Sequence, residues 1–151
     1  MECNAEYGET LKRDPSLKLM VRPGQLSDYP HIVLYDEFPG DRRLDLQAAR
    51  IWIADTPGET SAGYACIDPT DFLGWPLLSR LCVKPGARRF GVAETLIRGL
   101  LSDSIYLRLY TSTEQSNQPM RTLLAKVGAQ EIGYTDELNF SAERECLYRL
   151  K

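Results

Sequence analysis

The chain has 151 residues, enough for one domain with a real core. It is 43% hydrophobic and 26% charged with a net charge of -3, a globular balance that argues against wholesale nucleic-acid binding. No apolar run approaches the roughly 20 residues of a membrane span. The polar, acidic opening Met1–Glu6 predicts no secretory signal. Cys3, Cys66, Cys82 and Cys146 form no CxxC pair, and His31 is the single histidine. This pattern predicts reduced thiols in a cytoplasm and no metal site.

Residues 1–16 show no clear period and predict a flexible tail ahead of one domain over 17–151. Leu17–Val21 predicts a first strand, closed by Arg22-Pro23-Gly24. Ser27 or Asp28 is placed to cap a helix using Ile32, Val33, Tyr35 and Phe38, which Pro39-Gly40 stops. Arg42–Ala49 predicts a second helix with Leu44 and Leu46 partly buried. Arg50–Ala54 and Ala62–Ile67 predict a hairpin around Asp55–Glu59, and Asp68–Asp71 a further turn.

Leu77–Val83 predicts a buried strand, broken by Lys84-Pro85-Gly86. Arg88–Ala93 then leads into helical spacing at Ala93, Leu96, Ile97, Leu100 and Leu101. A strand, a basic Gly-containing turn and a helix N-terminus together suit an anion. Ile105–Tyr110 alternates as a strand. Ser116 or Asn117 caps a helix carrying Met120, Leu123, Leu124 and Val127 that closes at Gly128. Ala129–Tyr134 and Cys146–Leu150 form a final strand pair around a polar loop. The whole is an α/β domain of about seven strands and four helices.

Gly86 and Gly91 are spaced as in a P-loop, but Val92-Ala93 replaces the required Lys and Ser or Thr. A dinucleotide fingerprint fails because Gly91 stands alone. The remaining pattern is R-x-x-G-x-A at Arg88, Arg89, Phe90, Gly91, Val92 and Ala93. With Leu81-Cys82-Val83-Lys84-Pro85 before it, this resembles the acyl-CoA motif of the GNAT superfamily of N-acetyltransferases. A second match is Asn117 with Gly128 eleven residues on.

The resemblance covers about Leu17–Leu150. It implies a GNAT-like mixed, mostly antiparallel sheet of about seven strands flanked by about four helices. It implies that Arg88–Ala93 wraps the pyrophosphate of coenzyme A and that Asn117 holds the pantetheine arm. Leu81, Cys82 and Val83 would lie along that arm, with the Val83 N–H at the oxyanion. Acetyl-CoA would be the co-substrate, and a small-molecule or protein amine the acceptor, with no metal, nucleic acid or membrane involved. Homodimers are common in the family.

Two residues frequent in the family are replaced. The thiolate-protonating Tyr is Leu124, and one usual Glu base is Ser112. A thiolate of pKa about 8.5 leaves tolerably without an acid. An amine of pKa about 10.4 is neutral in about one molecule in 2,500 at pH 7, a cost of roughly 4–5 kcal/mol. An α-amine of pKa about 8 costs about 1 kcal/mol. Candidate bases are Glu114 and Asp71, and candidate acids Tyr110 and Tyr134. Cys82 is a candidate nucleophile or a core residue, and His31 lies on the acceptor side. Asp36, Glu37, Asp41, Asp71, Asp136 and Glu137 would permit a cationic acceptor such as a polyamine, an aminoglycoside or a protein amine. The rival expectation is an acyl-CoA-binding sensor or interaction module with little catalysis.

Overall fold

A computed structural model describes residues 19–151, so the predicted tail, Cys3, Leu17 and Lys18 lie outside the described residues. Seven strands among them form one open sheet: β1 (Met20–Pro23), β2 (Ile51–Thr56), β3 (Glu59–Phe72), β4 (Trp75–Val83), β5 (Tyr110–Glu114), β6 (Gln130–Thr135) and β7 (Glu145–Arg149). Their order is β1-β2-β3-β4-β5-β7-β6. Every neighbouring pair is antiparallel except β4 and β5. The α-helices are α1 (Tyr29–Ile32), α2 (Arg42–Gln47), α3 (Val92–Ser102) and α4 (Gln118–Lys126). A parallel pair needs a crossover, and α3 supplies it.

The sheet divides the core in two. On one face Leu96, Ile97 and Leu100 of α3 and Leu124 of α4 meet Ala65, Leu78, Leu109, Cys146 and Tyr148. On the other, Ile32, Tyr35 and Leu46 meet Ile51, Ile53, Tyr64, Cys66 and Cys82. Both α1 and α2 sit over the β2–β4 half. Among the described residues, no helix is long and apolar enough to cross a membrane.

Several boundaries differ from the sequence expectation. The first helix is one turn after a 3-10 turn, Leu26–Asp28. Leu44 is exposed rather than partly buried, while Leu46 is buried. Asp68–Asp71 is not a turn. β3 runs through it to Phe72, and Leu73 and Gly74 reverse the chain with φ of 51° and 91°. Ile105–Tyr110 is not a strand. Of its alternating apolar residues, Ile105 and Leu107 are exposed and only Leu109 is buried. The strand is the polar run that follows, tolerated inside the sheet because its hydroxyls find partners. Thr111 Oγ1, for one, donates to the Leu78 carbonyl at 2.9 Å.

β4 positions the site. Cys66 faces Arg80 and Ile67 faces Leu78, so Ser79 is an extra residue on β4, a bulge that bends the strand. β4 pairs with β5 only at Leu77–Tyr110 and Leu78–Thr111. Beyond the bulge the two strands diverge.

Candidate active site

The divergence leaves backbone groups facing a gap. Lys84 N–H donates to Ala62 O at 2.8 Å, and Gly63 faces Val83 across the β3–β4 ladder. Antiparallel ladders alternate bonded and non-bonded pairs, so the N–H groups of Leu81 and Val83 point away from β3, into the opening. The Val83 carbonyl points the same way and accepts from Arg88 Nε at 3.2 Å.

Two cavities meet there. One, of about 520 Å³, lies between α3 and α4. It brings together the predicted Leu81, Cys82, Val83, Arg88, Arg89, Gly91, Val92, Ala93 and Asn117. Phe90 does not line it and is partly exposed. The other, of about 490 Å³, lies beside the loop after α1 and the β6–β7 loop. Phe38, Ser79, Arg80, Ser112, Glu114, Asn139 and Glu145 line it. Leu81, Asn117 and Met120 belong to both.

The first cavity is built for an anion. Gly91 caps α3 in the left-handed conformation at φ 78°, where a Cβ is strained. No side chain caps α3, so the first N–H groups of an 11-residue helix remain for a ligand. Arg88 and Arg89 stand beside them. Lys126, which carries no motif in the sequence, reaches in from α4 and pairs with Glu94 at 2.7 Å. Arg98 also pairs with Glu94, so the one carboxylate in the first turn of α3 is offset. Arg88 is ion-paired to Glu37 across the mouth. Asn117 Oδ1 caps α4 by accepting from Met120 N–H at 3.2 Å.

The remaining candidates separate by position. Glu114 faces the second cavity, its Oε1 receiving Ser141 Oγ at 3.5 Å. Tyr110 lines neither cavity of the gap. It sits at the paired end of β5, buried and stacked on Phe72 at 4.5 Å. Tyr134 is exposed on β6 under the Arg144 guanidinium. The Cys82 thiol turns into the core and donates to Tyr35 O at 3.5 Å, and burial pushes its pKa up, against a nucleophilic role. His31 is exposed on α1 and lines neither cavity. Asp45, Cys66 and Asp68 cluster as metal ligands would, but Arg42, Arg50 and Arg80 already neutralise the two carboxylates.

Four of the six acidic loop residues are spent internally, Glu37 through its pair with Arg88. Asp36 accepts from Tyr64 OH at 2.6 Å and pairs with Arg42, Asp41 caps α2, and Asp136 pairs with Arg144.

Residues 19–129 match the family model described as acetyltransferase (GNAT) family. No curated protein matches the chain. A GNAT-family acetyltransferase structure from Bacillus cereus is 23% identical, with 89% of this chain and 97% of that one covered at a TM-score of 0.77. A ribosomal-protein-alanine N-acetyltransferase from Brucella melitensis is 19% identical, covering 86% and 98% at 0.70. A GNAT-family acetyltransferase from Elizabethkingia anophelis, solved with acetyl-CoA bound, is 16% identical, covering 88% and 97% at 0.65. These likenesses establish a shared fold. The family match spans most of the sequence, the motif strand and both site helices included, and the chain therefore belongs to the acetyltransferase (GNAT) family.

Proposed function

We propose that the protein transfers an acetyl group from acetyl-CoA directly to a primary amine. The observation that carries this reading is the opened β4–β5 pair, which turns the N–H groups of Leu81 and Val83 toward the point where an anion-binding cavity meets a second cavity. The α3 N-terminus, Arg88, Arg89 and Lys126 take the pyrophosphate. Leu81 and Val83 offer main-chain groups to the pantetheine arm in the manner of an added strand. Val83 N–H polarises the thioester carbonyl and holds the developing oxyanion.

Glu114 takes the proton that an incoming ammonium must lose. It stands on the second-cavity side, whereas the family's frequent Glu position holds Ser112. With Tyr110 packed under Phe72 and Leu124 fully buried, the thiolate leaves without a tyrosine acid and takes its proton from solvent.

Thiol release from acetyl-CoA across an amine panel, with a no-amine hydrolysis control, tests the reaction. Amine-dependent release supports it. CoA binding by calorimetry with no release from any amine favours a CoA-binding module instead. Glu114→Gln is expected to lower kcat/KM about a hundredfold and to remove the limb that falls toward low pH. An unaltered profile takes the base role away from Glu114.

A further inference from the structure

A third cavity, of about 530 Å³, extends the second one along the sheet. The two share Ser112, Asn139 and Glu145, so they adjoin along the sheet as the two ends of a groove. Its floor is the face of β5 and β7 opposite α3 and α4, which no helix covers among the described residues. One wall is the overhanging tip of the β3–β4 hairpin, with Phe72, Leu73 and Leu77. The other is Leu138 of the β6–β7 loop, and Leu147 lies below. Leu73 is 93% exposed and Leu138 75% exposed, so two separate loops each hold an unburied leucine over one cavity.

The end nearest the β4–β5 opening carries two carboxylates and one cation, Arg80, which is drawn toward Asp68 at 3.8 Å. Glu114 and Glu145 are directly opposed on β5 and β7, and both line the second cavity. Like charges in that relation destabilise a sheet unless a cation lies between them. The other end is apolar, with Asp71 and the shared Glu145 its only acidic residues. A polycation would find few carboxylates there, since Asp36, Asp41 and Asp136 are already paired.

We propose that this groove selects the acceptor: a small primary amine carrying an uncharged apolar body, its ammonium between Glu114 and Glu145 and its body against Leu73, Leu77, Leu138 and Leu147. The assignment rests on the transferase reading, because it takes the second cavity as the acceptor side. A volume of about 530 Å³ suits a small-molecule ligand. Each methylene buried is worth about fourfold in affinity.

The test is calorimetric titration of ethylamine, hexylamine and spermidine into the CoA-saturated protein. Hexylamine is expected to bind at least tenfold more tightly than ethylamine, and more tightly than spermidine. Leu73→Asp with Leu138→Asp should erase that preference and leave CoA affinity unchanged, since both side chains are exposed and neither lines the first cavity. Equal binding of ethylamine and hexylamine, preference for spermidine, or a double variant that keeps the hexylamine preference would each overturn the proposal. Thiol release with the same amines separates the two readings. Hexylamine bound without release sinks the transferase reading and keeps the groove. Release from another amine, with hexylamine unbound, does the reverse.

Discussion

Arg88 joins both walls of the cofactor mouth: its Nε is donated to the Val83 carbonyl and its terminal nitrogen to Glu37. The Glu37 pair is half exposed, and such pairs contribute about 0–1 kcal/mol. On the proposed function, a pyrophosphate beside the helix N-terminus would outcompete it, because two charges and several N–H groups act together. Arg88→Ala should therefore raise the KM for acetyl-CoA about tenfold with kcat little changed, and the penalty should shrink as salt rises. Initial rates at two ionic strengths measure this; an unchanged KM at low salt removes Arg88 from the cradle. Arg88, Arg89 and Gly91 are legible in the sequence because their spacing follows from one short turn. Lys126 is not, because its place beside Glu94 exists only once α4 has packed across from α3.

At the scale of the element, α3 and its turn supply the backbone part of the proposed anion site. Gly91→Ala places a Cβ on a left-handed residue, at a cost of about 1–2 kcal/mol. That corresponds to roughly 3–6 °C in Tm for a chain of this size. On the proposed function it also fills space that the phosphate would use, so CoA affinity should fall further than the lost stability accounts for. Thermal melts and CoA titrations on the same variant separate the two, and equal losses would reduce Gly91 to a fold residue. The helix patterns of α3 and α4 are readable because each buries one strong stripe. β5 is not, because Ile105 and Leu107 alternate like a strand yet are exposed, while the strand itself reads Thr-Ser-Thr. The sequence carries no mark of the Leu78 carbonyl that satisfies Thr111. The β3–β4 overhang is hidden for a similar reason: Asp68-Pro69-Thr70-Asp71 has turn composition, but β3 continues past it, with only Phe72–Trp75 still paired at the tip.

Across the described residues, the buried carboxylates, Asp28 and Asp68, lie on the β1–β4 half, on the side of α1 and α2. Asp28 is buried, which by itself raises its pKa. Two hydrogen bonds from Arg22, at 2.7 and 2.9 Å, and one from Gln25 N–H at 2.8 Å outweigh that and hold the carboxyl below the usual carboxylate range. Arg22 also binds Asp55, which accepts from Ser61 N–H, so one guanidinium ties β1 and its following turn to β2 and β3. A depressed folded-state pKa adds stability that is complete above the unfolded value of about 3.9 and is lost as pH falls through the folded value. Asp28→Asn keeps the shape and removes the charge, so it should cost about 1.5–3 kcal/mol at neutral pH. It should also flatten the stability curve below about pH 4. Urea melts from pH 2 to 7 on both proteins test this. The curves should converge at the acid end, because a protonated Asp28 is as uncharged as the amide that replaces it. Parallel curves would mean that Asp28 contributes by packing and not by its charge.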